Sequence, residues 1–113
     1  MHELAISENI LKVIVPAAQQ ANAKRILKVR MHIGEVSGVI PSLLEKSFSV
    51  AAEGSIAEGA ELVFNICPTV VHCCACGEDG ETDRETRACK KCGSYNVKII
   101  SGREYFIEDL EVE

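Results

Sequence analysis

Cys73-Cys74-Ala75-Cys76-Gly77 and Cys89-Lys90-Lys91-Cys92-Gly93 are the stretches that decide how this chain is built. Each holds a C-x-x-C pair, and twelve residues separate Cys76 from Cys89. Two intervening residues let both sulfurs of a pair turn onto one ion. Two such turns supply four thiolates, the donor set of tetrahedral zinc. A glycine follows each pair, where a positive φ leaves backbone N–H groups able to face sulfur. Four thiolates on Zn²⁺ leave a formal charge of about −2, which Arg84, Arg87, Lys90 and Lys91 are placed to offset. Cys73, Cys76, Cys89 and Cys92 are therefore read as a closed structural site. A catalytic zinc keeps an open position and usually recruits His or carboxylate. An iron site of the same donors would pack aromatics around the metal, and Tyr95 is the one aromatic nearby. A redox pair would open a helix in a βαβ setting, which is missing. Cys74 is the alternative to Cys73, but Cys74-x-Cys76 makes a poorer chelate turn. Cys67 then reads as a half-buried apolar residue and Cys74 as an exposed thiol. His72 reads as a surface loop residue and a minor candidate for a second metal.

Outward from the cysteines, the chain patterns into helices and strands. Ile6, Ile10, Val13, Ile14, Ala17, Ala18 and Ala21 form one helical stripe over residues 3–21. Pro16 lies inside it and predicts a kink or an early stop. Arg25 to Ile33 alternates as a half-buried strand, with Leu27, Val29, Met31 and Ile33 opposite Lys28, Arg30 and His32. Pro41 suits the first turn of a second helix over 43–53, with Leu44, Phe48, Ala51 and Ala52 inward and Gly54 at its C-cap. Glu61 to Cys67 alternates again and Pro68 ends it. Val97 to Ile100 is a short β-branched run. Arg103 to Glu113 reads as a last strand, with Tyr105 and Ile107 on one side and Phe106, Leu110 and Val112 on the other, and a bulge near Glu108.

That last apolar strand must bury itself, and residues 69–95 offer little core. It is expected to return to the first sheet. The predicted fold is α+β: about three strands packed with two helices, residues 1–67 completed by 102–113, plus an inserted zinc-ribbon-like module over 68–101. At 34 residues that module falls under the ~40 below which a fold usually needs a metal or disulfides.

The 113 residues carry a net charge of −5, of which −4 falls in residues 101–113. That balance argues against electrostatic binding of nucleic acid or an anionic membrane. No apolar run approaches the ~20 residues of a membrane span. The start lacks a basic n-region, and Lys12 breaks the first apolar stretch. The chain is expected in the cytoplasm, where paired cysteines more often bind metal than form disulfides. No convergent set of His, carboxylate and nucleophile appears. His32 reads as an exposed strand residue, and the chain as no enzyme.

Met1-His2-Glu3 opens the sequence. The amine of Met1, the backbone nitrogens of His2 and Glu3 and the His2 imidazole can approach one plane, which suits Ni²⁺ or Cu²⁺. Backbone nitrogens must lose protons to bind, so affinity should rise with pH. Glu3 either adds a carboxylate or favours the positive end of the helix.

Met1-His2-Glu3-Leu4, Lys28-Val29-Arg30 through Gly34-Glu35 to Ser37-Gly38-Val39, the two C-x-x-C-G pairs, and Ser101-Gly102-Arg103-Glu104 to Ile107 with an acidic tail occur in order. Together they resemble the HypA family of nickel metallochaperones in nickel–iron hydrogenase maturation. The resemblance implies a nickel-binding α/β domain with His2 as ligand and Met1 and Glu3 contributing. It implies Zn(II) held by Cys73, Cys76, Cys89 and Cys92, with Ni(II) as cargo. The implied partners are a HypB-type GTPase, the hydrogenase large subunit and urease maturation proteins, with the chain a monomer or weak homodimer. The competing reading is a zinc-ribbon module that binds protein or nucleic acid without nickel.

Overall fold

A computed structural model describes residues 3–83 and 85–113. Met1 and His2, the centre of the expected nickel set, and Arg84 lie outside the described residues. The element order is α1 (Glu3–Gln20), β1 (Ile26–Gly34), α2 (Pro41–Ala51), β2 (Glu61–Cys67), β3 (Val70–Cys73), β4 (Asp79–Glu81), β5 (Val97–Ser101) and β6 (Tyr105–Val112). The α+β class is as expected: two helices and a three-stranded sheet, with a second small sheet around the cysteines. The molecule measures 53 × 24 × 16 Å with a radius of gyration of 17.4 Å. A compact chain of this length would have a radius of about 13 Å, so the structure is elongated.

The first sheet has the order β2-β1-β6. β2 runs parallel to β1, and α2 is the crossover that parallel pairing requires. β6 runs antiparallel on the other edge of β1. Ile6, Ile10, Ile14 and Ala18 of α1 and Leu44 and Phe48 of α2 are buried with Val29, Met31, Ile33 and Leu62 of the sheet. Among the described residues, no helix covers the opposite sheet face. There Arg30 donates to Asp109 (2.7 Å) and Glu111 (3.2 Å), all three well exposed. Such solvated pairs contribute about 0–1 kcal/mol each.

Four local expectations change. α1 runs through Pro16 to Gln20 and does not stop early. Its end is set by Asn22, whose φ is 58°. Ala23 N–H donates to Ala18 O and Asn22 N–H to Gln19 O, which closes the helix as a Schellman cap with Asn at the left-handed position. α2 begins at Pro41 and caps at Ala52 with αR geometry, so Gly54 lies beyond its cap. In β1 the pairing with β6 shifts between Ile26 and Lys28, which leaves Leu27 half-buried and puts Ile26 fully inside. In β6 the shift falls between Ile107 and Asp109, so Glu108 is the extra residue, as its polarity suggests. That bulge puts Leu110 on the core side with Ile107, not with Phe106.

The second sheet has the order β4-β3-β5, both pairings antiparallel. β3 and β4 are short strands without an apolar period, and the sequence pattern does not reveal them. Little is buried there besides Val71, Ala88, Thr69, Thr82 and two of the cysteines.

The chain passes twice between the sheets, and two glycines make the crossing fit. A Cβ on Gly34 would lie 2.2 Å from the carbonyl oxygen of Gly102 and 2.9 Å from that of Glu104. Gly34 N–H donates to Glu104 O (2.8 Å) and Val36 N–H to Gly102 O (2.9 Å). Gly102 itself has φ +120°, and a Cβ there would meet Thr69 Cα at 2.9 Å. Beside this crossing the Glu35 carboxylate accepts from Thr69 Oγ1 (3.1 Å) and pairs with Arg87. The Arg87 hydrogen bond, more than the Thr69 one, holds the Glu35 carboxyl below its ordinary range. Because the folded value is depressed, this tie is present at neutral pH and is lost as the pH falls through it.

Gly34→Ala should destabilise the chain by about 2–4 kcal/mol in urea unfolding, because the obstacle is backbone that no rotamer change can move. Gly54→Ala, at φ +80° but in open space, should cost only about 1–2 kcal/mol.

Candidate metal centre

Two turns of the same construction build the cysteine site. Gly77 N–H donates to Cys73 O and Gly93 N–H to Cys89 O, both at 2.8 Å. Cys73 N–H donates to Glu78 O (2.9 Å) and Cys89 N–H to Ser94 O (2.8 Å). Gly77 and Gly93 have φ of 74° and 79°, and so reverse the chain at the same point of each turn. The expectation that backbone N–H groups face sulfur holds, but the donors are the neighbours of the glycines. Cys76 N–H lies 3.5 Å from Cys73 Sγ. The N–H groups of Glu78 and Ser94 face Cys76 and Cys92.

The Sγ atoms of Cys73, Cys76, Cys89 and Cys92 all lie within 4.8 Å of one another. Cys73 and Cys92 are 3.6 Å apart, and Cys76 and Cys89 3.8 Å. A tetrahedron of Zn–S bonds near 2.3 Å has edges of about 3.8 Å. The donor set and its spacing therefore fit a structural zinc. Cys73 rather than Cys74 faces the cluster; Cys74 is exposed outside it. Among the described residues this is the one cluster of three or more metal-ligating groups.

The electrostatics point the same way. The N–H groups of Cys92 and Lys91 pull the Cys89 thiol down to about 6. The Ser94 N–H favours a Cys92 thiolate, yet the neighbouring Cys73 sulfur, burial and Cys89 outweigh it and push Cys92 up to about 12. Four sulfurs this close cannot all ionise without a cation among them. Two of the residues expected to offset the charge part company. Lys91 Nζ sits on Glu78 (3.0 Å) and feels Cys76 and Cys89, whereas Arg87 turns away to Glu35.

The other expected residues are dispersed. Glu3 opens α1, half-buried, and its Oε2 has no hydrogen-bond partner among the described residues. His72 stands on strand β3, not in a loop, and pairs with Asp79 (2.6 Å). His32 is half-buried and has partners after all: Cys67 Sγ at 3.2 Å and Glu104 Oε1 at 3.2 Å. No sequence spacing signals this set, because strands β1 and β2 and the segment before β6 bring it together.

Comparison with known proteins covers the whole chain. The family model described as "HypA: Hydrogenase/urease nickel incorporation, metallochaperone, hypA" matches residues 1–112. The hydrogenase maturation factor HypA of Aquifex aeolicus is 42% identical over 113 residues, covering 100% of this chain and 98% of that one. Its counterpart from Dehalococcoides mccartyi (strain ATCC BAA-2266) is 36% identical, covering 100% and 95%. The solution structure of the Ni metallochaperone HypA from Helicobacter pylori aligns with a TM-score of 0.67 and 26% identity over 99% of this chain and 97% of that one. A second solution structure of a HypA protein gives 0.73 and 27% over 100% and 97%.

Cys73→Ser should abolish stoichiometric zinc, whereas Cys74→Ser should retain it, as read by metal analysis of purified protein. Chelation of the native protein should broaden the amide resonances of residues 70–101 and spare those of β1 and α1. Simultaneous loss of both sets would contradict a metal-dependent second sheet.

Proposed function

The chain belongs to the HypA family, and from that premise we propose that it is a non-enzymatic carrier of Ni(II) for hydrogenase maturation. On this reading the metal is held at the N-terminus by the Met1 amine, the backbone nitrogens of His2 and Glu3 and the His2 imidazole, with the Glu3 carboxylate close by. The match from residue 1 to residue 112 carries the reading, because it includes Met1-His2-Glu3 together with both cysteine pairs. The Glu3 carboxylate supports it: its buried Oε2 has no hydrogen-bond partner among the described residues, and a buried carboxylate oxygen favours a cation near it.

Nickel bound through amine, deprotonated amides and imidazole is held by nitrogen donors in a plane. Protonation of those same nitrogens releases it, so loading is reversible within a modest pH span. The zinc site works differently. Cys73, Cys76, Cys89 and Cys92 would fill all four positions of Zn(II), which leaves no open site for a reaction and makes the metal a fold element. In this reading residues 68–101 form the zinc-binding domain. Residues 1–67 with 102–113 form the nickel-binding one, and the junction glycines hold the two at a set separation. Delivery then proceeds with a HypB-type GTPase to the hydrogenase large subunit in the cytoplasm, with urease maturation proteins as further recipients.

Nickel titration by calorimetry of zinc-loaded, untagged protein should show one site whose affinity rises with pH. His2→Ala and a protein extended by a few residues ahead of Met1 should each bind at least about tenfold more weakly, since each removes a nitrogen donor. Unchanged affinity in both would refute the N-terminal site.

A further inference from the structure

The strand face that no described helix covers carries a group of residues outside both the four-cysteine cluster and the proposed N-terminal nickel set. Cys67 ends β2, His32 lies on β1, and Glu104 immediately precedes β6. They meet at the end of the sheet nearest the junction. Cys67 Sγ lies 3.2 Å from His32 Nδ1, and His32 Nε2 lies 3.2 Å from Glu104 Oε1. The other carboxylate oxygen of Glu104 accepts the Gly102 N–H at 2.8 Å. The imidazole stacks on Phe106 with centroids 4.4 Å apart and planes 11° from parallel.

Glu104 is held below its ordinary range, first by the Gly102 N–H, so it is an ionised acceptor. An ionised Glu104 favours the tautomer in which His32 Nε2 donates to it and Nδ1 faces the Cys67 thiol. The ring is fixed by Glu104 on one side and Phe106 on its face. Arg30 is paired with Asp109 and Glu111, and Glu35 with Arg87 and Thr69. A nucleophile, a base and a carboxylate that orients the base are the parts of an activated thiol. Only the sulfur and Nδ1 are free to share an ion, so the set is too small for a metal cage.

We infer that Cys67, His32 and Glu104 form an activated-thiol site at which Cys67 exchanges with small disulfides. The Cys67 proton passes to His32 Nδ1, and Glu104 stabilises the imidazolium. The thiolate attacks one sulfur of a disulfide R–S–S–R. The Cys67–sulfur bond forms, the old sulfur–sulfur bond breaks, and the departing thiolate takes the proton from His32. Cys67 is oxidised to a mixed disulfide and one RSH is released, the reduced half of the reagent. Cys67 is half-buried on an open face, so a small disulfide can reach it.

The test is competition between two thiols in one molecule. Zinc-loaded protein is treated with limiting dithiodipyridine at neutral pH, and the modified peptides are identified by mass. Cys74 is the more exposed thiol, so reactivity governed by access alone puts Cys74 first. The site predicts Cys67 first, by about tenfold or more. His32→Gln should slow Cys67 by about tenfold while leaving Cys74 and the zinc content unchanged, and Glu104→Gln should slow it by a smaller factor. At a pH well above the ordinary thiol value of about 8.5, hydroxide replaces the base, and native and His32→Gln proteins should react alike. Cys74 reacting first, an unchanged Cys67 rate in His32→Gln, or a difference that persists at high pH would each overturn the inference.

Discussion

Strand β1 is paired along both edges, and that requirement governs the architecture. Its parallel partner β2 arrives through α2. Its antiparallel partner β6 is supplied by the end of the chain, after the whole cysteine module has been built. A strand with Ile107 and Leu110 facing inward gains by burial only if it docks on the helix-covered sheet. The chain must therefore leave the first sheet after β2 and return before β6. Two backbone segments then cross one narrow point, and their approach is closer than any Cβ would allow. Gly34 and Gly102 are consequences of that topology, as is the Glu35–Arg87–Thr69 tie beside them.

The two sheets are stabilised by different physics. The first has a continuous core from Ile6 to Leu62 with both helices on it. The second buries too little apolar surface to offset the conformational entropy of its loops. A zinc ion on four thiolates supplies what is missing. The repeated turn geometry at Cys73–Glu78 and Cys89–Ser94 shows how local the device is: the same hydrogen bonds, made twice, aim two sulfurs each. An elongated molecule of 53 Å follows, because no shared core draws the sheets together.

On the proposed reading, the chain holds its two metals by opposite strategies. Zinc is enclosed by soft donors on paired turns, and nickel would rest on hard and borderline nitrogen donors. The uncovered sheet face adds a third chemical feature, a thiol held against an imidazole. It lies beside the backbone crossing, since Cys67 O accepts the Glu35 N–H at 2.8 Å.

The sequence alone determined the local and periodic features. The stripe of α1, the alternation of β1, the bulge at Glu108 and the four clustered cysteines all follow from spacings that one turn or one pleat imposes. It also showed that the last strand had to return, since an apolar strand cannot stay in solvent. Tertiary structure decided whatever depends on register between distant segments. Pro16 does not end α1, which continues to Gln20 and is closed by Asn22. β3 and β4 exist because they pair around a cysteine turn, not because their residues alternate. Leu110 faces inward because one bulged residue reverses the side that every later residue presents. The Cys67–His32–Glu104 set joins two strands and the segment leading into a third, far apart in the chain. No motif announces it, because strand pairing, and not sequence proximity, sets its distances.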